Sequence, residues 1–496
     1  MVRKICVVET NEVPIRVWKE YCKIYPDSVV ARLFGQGKLY RTIADDVAYE
    51  FLYPSQSWAS LNTGLPYSEH RIHWYNDPKP NMGLFWWHQA AVSGKRVGLV
   101  NVLHTSPLSA LSKEADYDFL LPDCFSPSSE TKPQRYEAFQ SLNLQLTEKN
   151  SRTSTAGFSD IMRLARKAVI HPGTFGLTGF SVAETVRAAP GILRSRERLR
   201  NLQCPPLASI FLDLLKQHDP DISVMFTNHI AAAQHRYWYA LFPQDYAEKI
   251  YDDDWIERYR FDILNGVGLL DRYLTKLSAY CKHTDRILII VSSMGQHANP
   301  KLTKKYVLQT SRAYRLEEPE KFLDAVIGSN AAVAERAMVP QYTYAFPDTA
   351  SAQAALDRIA HFLEMNPEMN GSRVDIVNAK VTVTVWINGT PTHLNTEKGR
   401  LPLRQFGFET LVIDDHHSGC HHPDGTLLVW NDREDELFSS RDTPESFSYL
   451  RYAAELRRYL GLANPCEAAR CNMAPTTNSQ KARDTTINAI WRAAQS

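Results

Sequence analysis

The sequence predicts an α/β fold: a three-layer sandwich with a mostly parallel central sheet, plus a helical insertion. Short β-branched runs alternate with helical segments along most of the 496 residues, which is typical of a parallel sheet covered by helices on both faces. Several runs are continuously apolar, as expected for strands that are buried on both sides. Because the chain is too long for one small core, we expect two or three lobes or one large elaborated domain.

Four apolar runs are the candidate strands of the central sheet, and all are short and rich in β-branched residues. They are Ile5–Val8, Arg96–Val102, Ile222–Thr227 and Ile287–Ser292. Helical spacing of apolar residues predicts the helices between them, which include Val17–Ile24, Pro206–His218 and Ile256–Tyr280. The last helix leads into the strand at Ile287 and so forms one half of a right-handed crossover unit.

The predicted organisation has four parts. Residues 1–124 begin the α/β domain and residues 203–465 complete it. The polar, weakly periodic and then basic stretch 125–202 is a helical insertion or cap, or alternatively a solvated helical excursion. Residues 466–496 are polar and are expected to form a flexible tail. Within the second part, the strong alternation of residues 373–389 favours an antiparallel hairpin or a sheet edge.

Composition restricts the possible partners and the compartment. The net charge of +1 gives no electrostatic case for binding nucleic acid or an anionic membrane. No apolar run approaches 18 residues, so we expect no membrane span. The eight cysteines are scattered and form no CxxC pair, which fits a reduced, cytoplasmic protein.

Two N-terminal stretches offer candidate catalytic groups. In VVETNEVP, Glu9 follows a buried strand, where a carboxylate can bind a metal or act as a base, or simply favour a helix N-terminus. In YPSQSWASLNTG, a helix is expected to begin near Pro54 and end at Thr63, before a glycine. Ser55 and Ser57 near its N-terminus can bind a phosphate or sulfate, and an ordinary serine cap is the alternative.

Two histidine-containing stretches offer candidate metal ligands. FTNHIAAAQHRYW follows a strand and contains His229 and His235, whose six-residue spacing on one continuous helix is poor for a shared metal. A single histidine there is more often structural. HHSGCHHPDG, at residues 416–425, is a histidine-rich loop that can bind zinc, or can be a solvated loop.

Taken in order, these stretches resemble the alkaline phosphatase superfamily, and within it the type I phosphodiesterase and nucleotide pyrophosphatase group. The segments NTGLPYSEHRI and GCHHPDG carry most of the resemblance, and the closing YLRYAAELRRYLGLANP is similar to the last helix of that family. The resemblance covers about residues 4–125 and 203–465, and the insertion shows none. It implies a large α/β sandwich with two metal ions, usually zinc, and a serine or threonine nucleophile that attacks phosphorus.

Carried over by position, the resemblance implies Ser57, or failing that Ser55, as the nucleophile. It places Glu9 at the first acid, and His235 and His421 at two further ligands. The chain departs from the pattern elsewhere: Ala231 stands at an aspartate position, and Ser293-Met294 stand where the family has Asp-His. A hydroxyl and a thioether are poor zinc ligands.

The resemblance therefore implies zinc or another divalent metal at one site rather than two, or no metal at all. Asn228, His229 and His297 are candidate replacement ligands. Asn228, Ser293 and His422 are the expected substrate-binding residues. One hypothesis is a phosphodiesterase-like or phosphatase-like hydrolase or transferase that acts on a phosphorylated small molecule, a phosphodiester or a nucleotide-type ester. The other is a metal-poor biosynthetic transferase or a phospho-ligand-binding protein.

Overall fold

The computed structural model describes most of the chain. The described residues are 2–49, 52–75, 84–149, 172–194, 198, 201, 203–309, 312–328, 332–335, 341–377, 379–412, 416–433, 435–439 and 441–463. The expected tail, 466–496, and residues 150–171 of the expected insertion lie outside them. The ends of the insertion contain helical segments.

The strands, numbered along the chain, are β1 (Ile5–Thr10), β2 (Lys38–Ile43), β3 (Val97–Val100), β4 (Phe119–Leu121), β5 (Ile222–Thr227), β6 (Ile287–Val291), β7 (Gly295–Ala298), β8 (Arg312–Leu316), β9 (Val333–Glu335), β10 (Gln341–Ala345), β11 (Arg373–Val377), β12 (Lys380–Thr384), β13 (His393–Thr396), β14 (Gly399–Pro402), β15 (Phe408–Val412), β16 (Gly419–His422), β17 (Asp424–Trp430) and β18 (Ser446–Ser448).

The α-helices are α1 (Ile15–Ile24), α2 (Val29–Gln36), α3 (Pro54–Thr63), α4 (Tyr67–His70), α5 (Trp86–Val92), α6 (Leu108–Glu114), α7 (Glu137–Lys149), α8 (Gly179–Arg194), α9 (Cys204–His218), α10 (His229–Leu241), α11 (Asp253–Tyr259), α12 (Asp262–His283), α13 (Lys304–Gln309), α14 (Pro319–Ile327), α15 (Thr349–Glu364) and α16 (Arg451–Leu460).

The central sheet has eight strands in the order β18-β2-β17-β6-β1-β5-β3-β4. The five strands from β6 to β4 run parallel to one another, and β17 runs antiparallel to both of its neighbours. The prediction of a mostly parallel sheet in an α/β fold is therefore confirmed. The four predicted strands are present, and β1 extends two residues beyond the predicted end at Val8.

Two apolar cores cover the two faces of this sheet, which makes the fold a three-layer sandwich. Alternate residues of β1 face opposite cores, because successive side chains of a strand point to opposite sides. Ile5 and Val7 pack with the layer that contains α3, α5 and α16. Cys6 and Val8 pack with the layer that contains α1, α2, α9, α10 and α12.

One predicted helix is divided in the structure. The segment Ile256–Tyr280 lies in two helices, α11 and α12, which are separated by Arg260 and Phe261. The two helices keep similar apolar spacing, so periodicity alone does not reveal the boundary.

Residues 312–412 contain a third apolar core, and we call this region the small subdomain. Its sheet has the order β11-β12-β10-β9, with the hairpin β11-β12 antiparallel and β11 at the edge. The predicted hairpin in residues 373–389 is confirmed. Helices α14 and α15 pack on this sheet through apolar side chains such as Phe322, Ile359 and Phe362.

A two-stranded ribbon of β7 and β16 follows the carboxyl end of β6. Residues that pair across an antiparallel ribbon share a face, so Gln296 and His421 lie on one face and His297 and Cys420 lie on the other. This ribbon carries one of the histidines of the site described below. Among the described residues, no helix combines the length and apolar character that crossing a membrane requires.

Candidate functional site

Polar residues follow β1 and β5 at the carboxyl edge of the sheet, where α/β proteins usually bind ligands. Asn11 and Glu12 follow β1, and Asn228 follows β5. The backbone of Asn11 donates to the carbonyl of Thr227 at 3.0 Å, which holds the two strand ends together. Glu12 has a left-handed backbone, with φ of 58°, and such conformations in non-glycine residues are concentrated at functional sites.

Glu12, His235 and His421 form a cluster with the spacing of a metal site. One ligand atom from each of the three side chains lies within 4.8 Å of the other two. The carboxylate Oε2 of Glu12 is 2.9 Å from Nε2 of His235 and 3.5 Å from Nε2 of His421. Within the described part of the chain, no other group of three His, Cys, Asp or Glu side chains has this spacing. We call these three residues the triad.

Backbone carbonyls orient both histidines of the triad. Nδ1 of His421 donates to the carbonyl of Leu52 at 2.8 Å, and Nδ1 of His235 donates to the carbonyl of Gly419 at 3.3 Å. A carbonyl oxygen only accepts, so Nδ1 of each ring carries a proton, and Nε2 of each ring faces Glu12. Histidines that bind metals typically donate their other ring N–H to a carbonyl or carboxylate in this way.

A glycine allows the ribbon to approach α10 closely enough to form the triad. A Cβ atom at Gly419 would lie 2.5 Å from the carbonyl oxygen of Gln234. Any larger residue would push β16 away from the helix. The ring centroids of His235 and His421 are 5.2 Å apart as a result.

Further polar contacts hold Glu12 in its ionised form. Asn11 Nδ2 donates to Oε1 at 2.7 Å, and Gln296 Nε2 donates to Oε2. Burial alone would raise the pKa of Glu12, but the charges of His421 and His235, with hydrogen bonds from His235 and Gln296, lower it to about 2. Burial lowers the pKa of His421 despite the neighbouring Glu12 carboxylate. Metal binding requires an ionised carboxylate and neutral imidazoles, so a metal ion at the triad would compete with protons for the two histidines.

Neutral side chains form a hydrogen-bond network beside the triad. The Oδ1 atom of Asn11 accepts from Trp58 Nε1 at 2.8 Å, and its Nδ2 donates to Asn228 Oδ1 at 2.7 Å. The hydroxyls of Ser57 and Ser293 are 2.8 Å apart. Hydroxyls and amides bind zinc poorly compared with imidazole or carboxylate, so this network does not provide a second set of zinc ligands.

Glu9, the acid named from the sequence, is not part of the triad. It lies inside β1 on the same face as Ile5 and Val7, fully buried, and it accepts from Asn62 Nδ2 at 2.9 Å. Burial raises its pKa to about 8, against a small lowering by Asn62, so it is protonated at neutral pH. The acid of the triad is Glu12, three residues later in the same VVETNEVP stretch. Glu12 follows the end of β1, whereas Glu9 lies inside the strand.

Ser57 and Ser55 both lie in α3, which begins and ends where the sequence predicts. Pro54 is its first residue, and Gly64 ends it with a left-handed φ of 67°. Ser57 is fully buried, and its hydroxyl lies 2.8 Å from that of Ser293. Ser55 instead donates to the backbone carbonyl of His73 at 2.5 Å. Of the two candidate serines, Ser57 is therefore the one that contacts Ser293.

Two further candidate histidines point away from the triad. His229 is buried, with Nδ1 2.7 Å from the hydroxyl of Thr227 and Nε2 3.0 Å from the carbonyl of Gly266. Burial lowers its pKa to about 4. His422 lies on the opposite face of the ribbon from His421, where its Nδ1 accepts from the backbone of Asp424 at 3.2 Å. Both make structural contacts.

The residue pair that departs from the family pattern at the end of β6 has two different environments. Ser293 faces Ser57 in the network, whereas Met294 is fully buried in the apolar core with Trp58 and Leu427. Gln296, two residues further along, contacts Glu12 and was not identified from the sequence. Its position opposite His421 in the ribbon depends on strand pairing that the sequence does not reveal.

Comparisons with known proteins give structural likeness at low identity. No protein-family model matches the chain, and no curated protein matches it. A phosphonoacetate hydrolase from Sinorhizobium meliloti 1021, in complex with phosphonoformate, is similar with a TM-score of 0.36 and 14% identity, over 92% of this chain and 96% of that chain. Murine ectonucleotide pyrophosphatase/phosphodiesterase 5 is similar with a TM-score of 0.39 and 12% identity, over 97% and 99%. The human form of the latter has a TM-score of 0.38 and 12% identity, over the same shares.

Proposed function

We propose that this chain is a hydrolase of phosphoric esters that uses one divalent metal ion, held by Glu12, His235 and His421. The observation that carries the proposal is the convergence of these three ligand atoms within 4.8 Å at the carboxyl edge of the sheet. Catalytic zinc sites commonly have three protein ligands, including sets of two histidines and one glutamate, and keep a further position for water or substrate.

The surroundings of the triad fit such an ion. Both histidines are oriented by backbone carbonyls, and Glu12 is held by Asn11 and Gln296. Losing such outer partners typically lowers metal affinity 10–100-fold. Imidazole and carboxylate ligands suit zinc, and the donor set therefore favours zinc over calcium or magnesium.

Other residues near this part of the sheet have proposed roles in substrate binding and catalysis. A bound metal ion would polarise a phosphoryl oxygen and lower the pKa of a bound water. Asn228, which is exposed at the end of β5, is placed to donate to an anionic substrate. Ser57 is the proposed nucleophile or anion anchor, and Ser293 orients its hydroxyl. Because Ser57 faces Ser293, attack by Ser57 would require its side chain to rotate toward the triad.

A phosphoric ester is the proposed substrate because the sequence resembles the alkaline phosphatase superfamily through TGLPYSEH and GCHHPDG. Two parts of that resemblance meet in this structure, since α3 precedes TGLPYSEH and His421 belongs to GCHHPDG. The His421 imidazole bonds to the carbonyl of Leu52, two residues before α3. This bond supports the proposal that the metal candidate and the serine candidate belong to the same part of the molecule.

Metal content and turnover of the purified full-length chain test the proposal. We expect one divalent ion per chain, and loss of p-nitrophenyl phosphate or bis-p-nitrophenyl phosphate hydrolysis on chelation, with recovery on adding zinc. His421→Ala should lose the ion, whereas His422→Ala, its neighbour on the other face of the ribbon, should keep it. A metal-free chain with chelator-resistant activity would contradict the proposal.

Serine substitutions test the proposed nucleophile separately. Ser57→Ala should lower turnover by at least about 100-fold if Ser57 attacks phosphorus, while leaving the metal content unchanged. Ser55→Ala is the matched control, because its hydroxyl bonds to His73 and not to the network. If Ser57→Ala retains full turnover, water or another group must be the nucleophile.

A second candidate is a metal-free phospho-ligand-binding protein or transferase. The observation that favours it is the direct contact of 2.9 Å between Glu12 Oε2 and His235 Nε2, which pairs the carboxylate without an ion when both ring nitrogens of His235 are protonated. The neutral network of Asn11, Asn228 and Ser293 is consistent with it. Binding of inorganic phosphate by a chain that remains metal-free after incubation with zinc would favour this candidate.

A further inference from the structure

The small subdomain contacts the region of the triad through Arg373. This residue begins β11, the edge strand of the subdomain sheet. Its Nη2 donates to the hydroxyl of Tyr53 at 2.6 Å, and its guanidinium lies 5.4 Å from the centroid of the Tyr53 ring. A cation over an aromatic face is attracted by the ring quadrupole.

Tyr53 links this arginine to the triad. It lies immediately before α3, its ring centroid is 6.4 Å from that of His421, and the preceding residue, Leu52, accepts the His421 hydrogen bond. Together, the two centroid distances place the Arg373 guanidinium no more than about 12 Å from the His421 ring. Tyr53 is partly exposed, so the surface between the two groups is open to solvent at this residue.

His73 and Trp74 form the wall beside Tyr53, with ring centroids 6.0 and 5.7 Å from the Tyr53 ring. Gln56 Nε2 donates to Nδ1 of His73 at 2.5 Å, which fits a neutral imidazole. Burial, and then the charge of Arg373, lower the pKa of His73 to about 4. Arg373 therefore supplies positive charge to this wall, and His73 does not.

We propose that Arg373, on the Tyr53–His73–Trp74 wall, binds a second anionic group of the substrate, a carboxylate or a phosphate, beyond the ester at the triad. The proposal rests on the proposed function and specifies its substrate class: phosphoric esters that carry another anion. Guanidinium groups bind carboxylate and phosphate through charge-assisted hydrogen bonds.

The carboxylate of Asp375 is one neighbour of the guanidinium. Its Oδ2 is 4.0 Å from Nε of Arg373, and the two side chains are 43% and 25% exposed. An ion pair that is this long and this exposed is weak. Loss of this one pair would therefore oppose the binding of a substrate anion only weakly.

Ligand binding to the full-length, metal-loaded chain tests the proposal by calorimetry. The probes are n-alkyl phosphates and ω-carboxyalkyl phosphates of the same chain lengths, with α,ω-alkyl bisphosphates as a third series. For at least one length, we expect wild type to bind a doubly anionic probe about tenfold or more tightly than the matching alkyl phosphate. The better of the two doubly anionic series identifies the second group as carboxylate or phosphate.

Arg373→Gln should remove this preference while leaving the affinity for n-alkyl phosphates within about twofold. Arg400→Gln is the matched control, because Arg400 is an exposed arginine on β14 of the same subdomain. It should keep the wild-type preference. The control separates loss of the specific charge from a change in the charge of the subdomain.

Two results would overturn the proposal. One is a wild-type chain with no preference for doubly anionic probes at any length. The other is an Arg373→Gln variant that weakens both probe types equally, because that result assigns Arg373 the structural role of attaching the subdomain to Tyr53. If n-alkyl phosphates bind but no doubly anionic probe binds more tightly, only the proposed subsite at Arg373 is contradicted. If no phosphate probe binds at all, the proposed function fails with it.

Discussion

Glu9 and Glu12 lie three residues apart in one stretch, and both are almost fully buried. Their pKa values are nevertheless shifted in opposite directions from the ordinary value of a glutamate. The pKa of Glu9 is raised to about 8, and that of Glu12 is lowered to about 2. Burial opposes ionisation in both, so the difference comes from their partners. Glu9 has one amide donor, whereas Glu12 has two histidines and the amides of Gln296 and Asn11.

The comparison shows that the end of β1 separates a structural acid from a candidate metal ligand. Inside the strand, the side chain of Glu9 must face the apolar layer that its position in the alternation specifies. After the strand, the left-handed backbone of Glu12 turns its carboxylate toward residues from α10 and β16. Two glutamates that are only three residues apart thus have different surroundings, because one lies inside β1 and the other follows it.

The largest expected effect comes from exchanging each carboxylate for its neutral isostere. Glu12→Gln should lower metal affinity by more than about 100-fold, because a direct ligand matters more than the outer partners that cost 10–100-fold. Glu9→Gln should leave metal affinity unchanged, since Glu9 faces Asn62 and not the triad. Metal titration of both variants checks this, and equal losses would show that the triad is not the metal site.

A smaller effect is expected when the carboxylate is kept but one of its partners is removed. Gln296→Leu deletes the amide that donates to Glu12 Oε2, and it should lower metal affinity about 10–100-fold. Asn62→Leu removes the matching amide of Glu9 and should leave affinity unchanged. Competition with a chromogenic chelator measures both. Unchanged affinity in Gln296→Leu would mean that the histidines alone orient Glu12.

The smallest expected effect is on the pH dependence of stability. Because the folded pKa of Glu9 is raised, its contribution is fully present below the unfolded value near 4.5 and is lost as pH rises through about 8. From pH 6 to pH 8, we expect Glu9 to lower the free energy of unfolding by about 2 kcal/mol, at up to about 1.4 kcal/mol per pH unit. Glu12 has the opposite sign, with stability lost as pH falls toward about 2.

Urea denaturation of wild type and Glu9→Gln at pH 6, 7 and 8 measures this contribution. The variant imitates the protonated acid, so its stability should fall less over the interval than that of wild type. If the free energy of unfolding changes equally with pH in the two proteins, Glu9 ionises in the folded state near its ordinary pKa.

Much of the fold could be predicted from local patterns. The apolar runs at Ile5, Ile222 and Ile287 form three neighbouring parallel strands, and the proline and glycine that flank Ser57 define α3. His235 and His421 were named as ligands because each belongs to a stretch with a family resemblance, and the structure brings their rings within 5.2 Å. These features depend on short segments whose residue pattern can be read directly from the sequence.

The direction of individual side chains could not be predicted in the same way. His421 and His422 are adjacent, yet only the former faces Glu12, because neighbouring residues of β16 lie on opposite faces. His229 and His235 share α10, but His229 faces the carbonyl of Gly266 on α12. Which of two neighbouring histidines points into a site depends on the elements that pack around them.

By itself, the sequence determined the strand and helix types, the limits of α3 and the edge of the sheet at which polar residues gather, because periodicity and turn residues act locally. Only the tertiary structure decided that Glu12 and not Glu9 joins the histidines, and that Arg373 meets Tyr53 across 320 positions of chain. The physical reason is that such contacts depend on where β1 ends, how β7 pairs with β16 and how the small subdomain packs. Each of these depends on packing between segments that are distant in sequence, and not on the residues of any one segment.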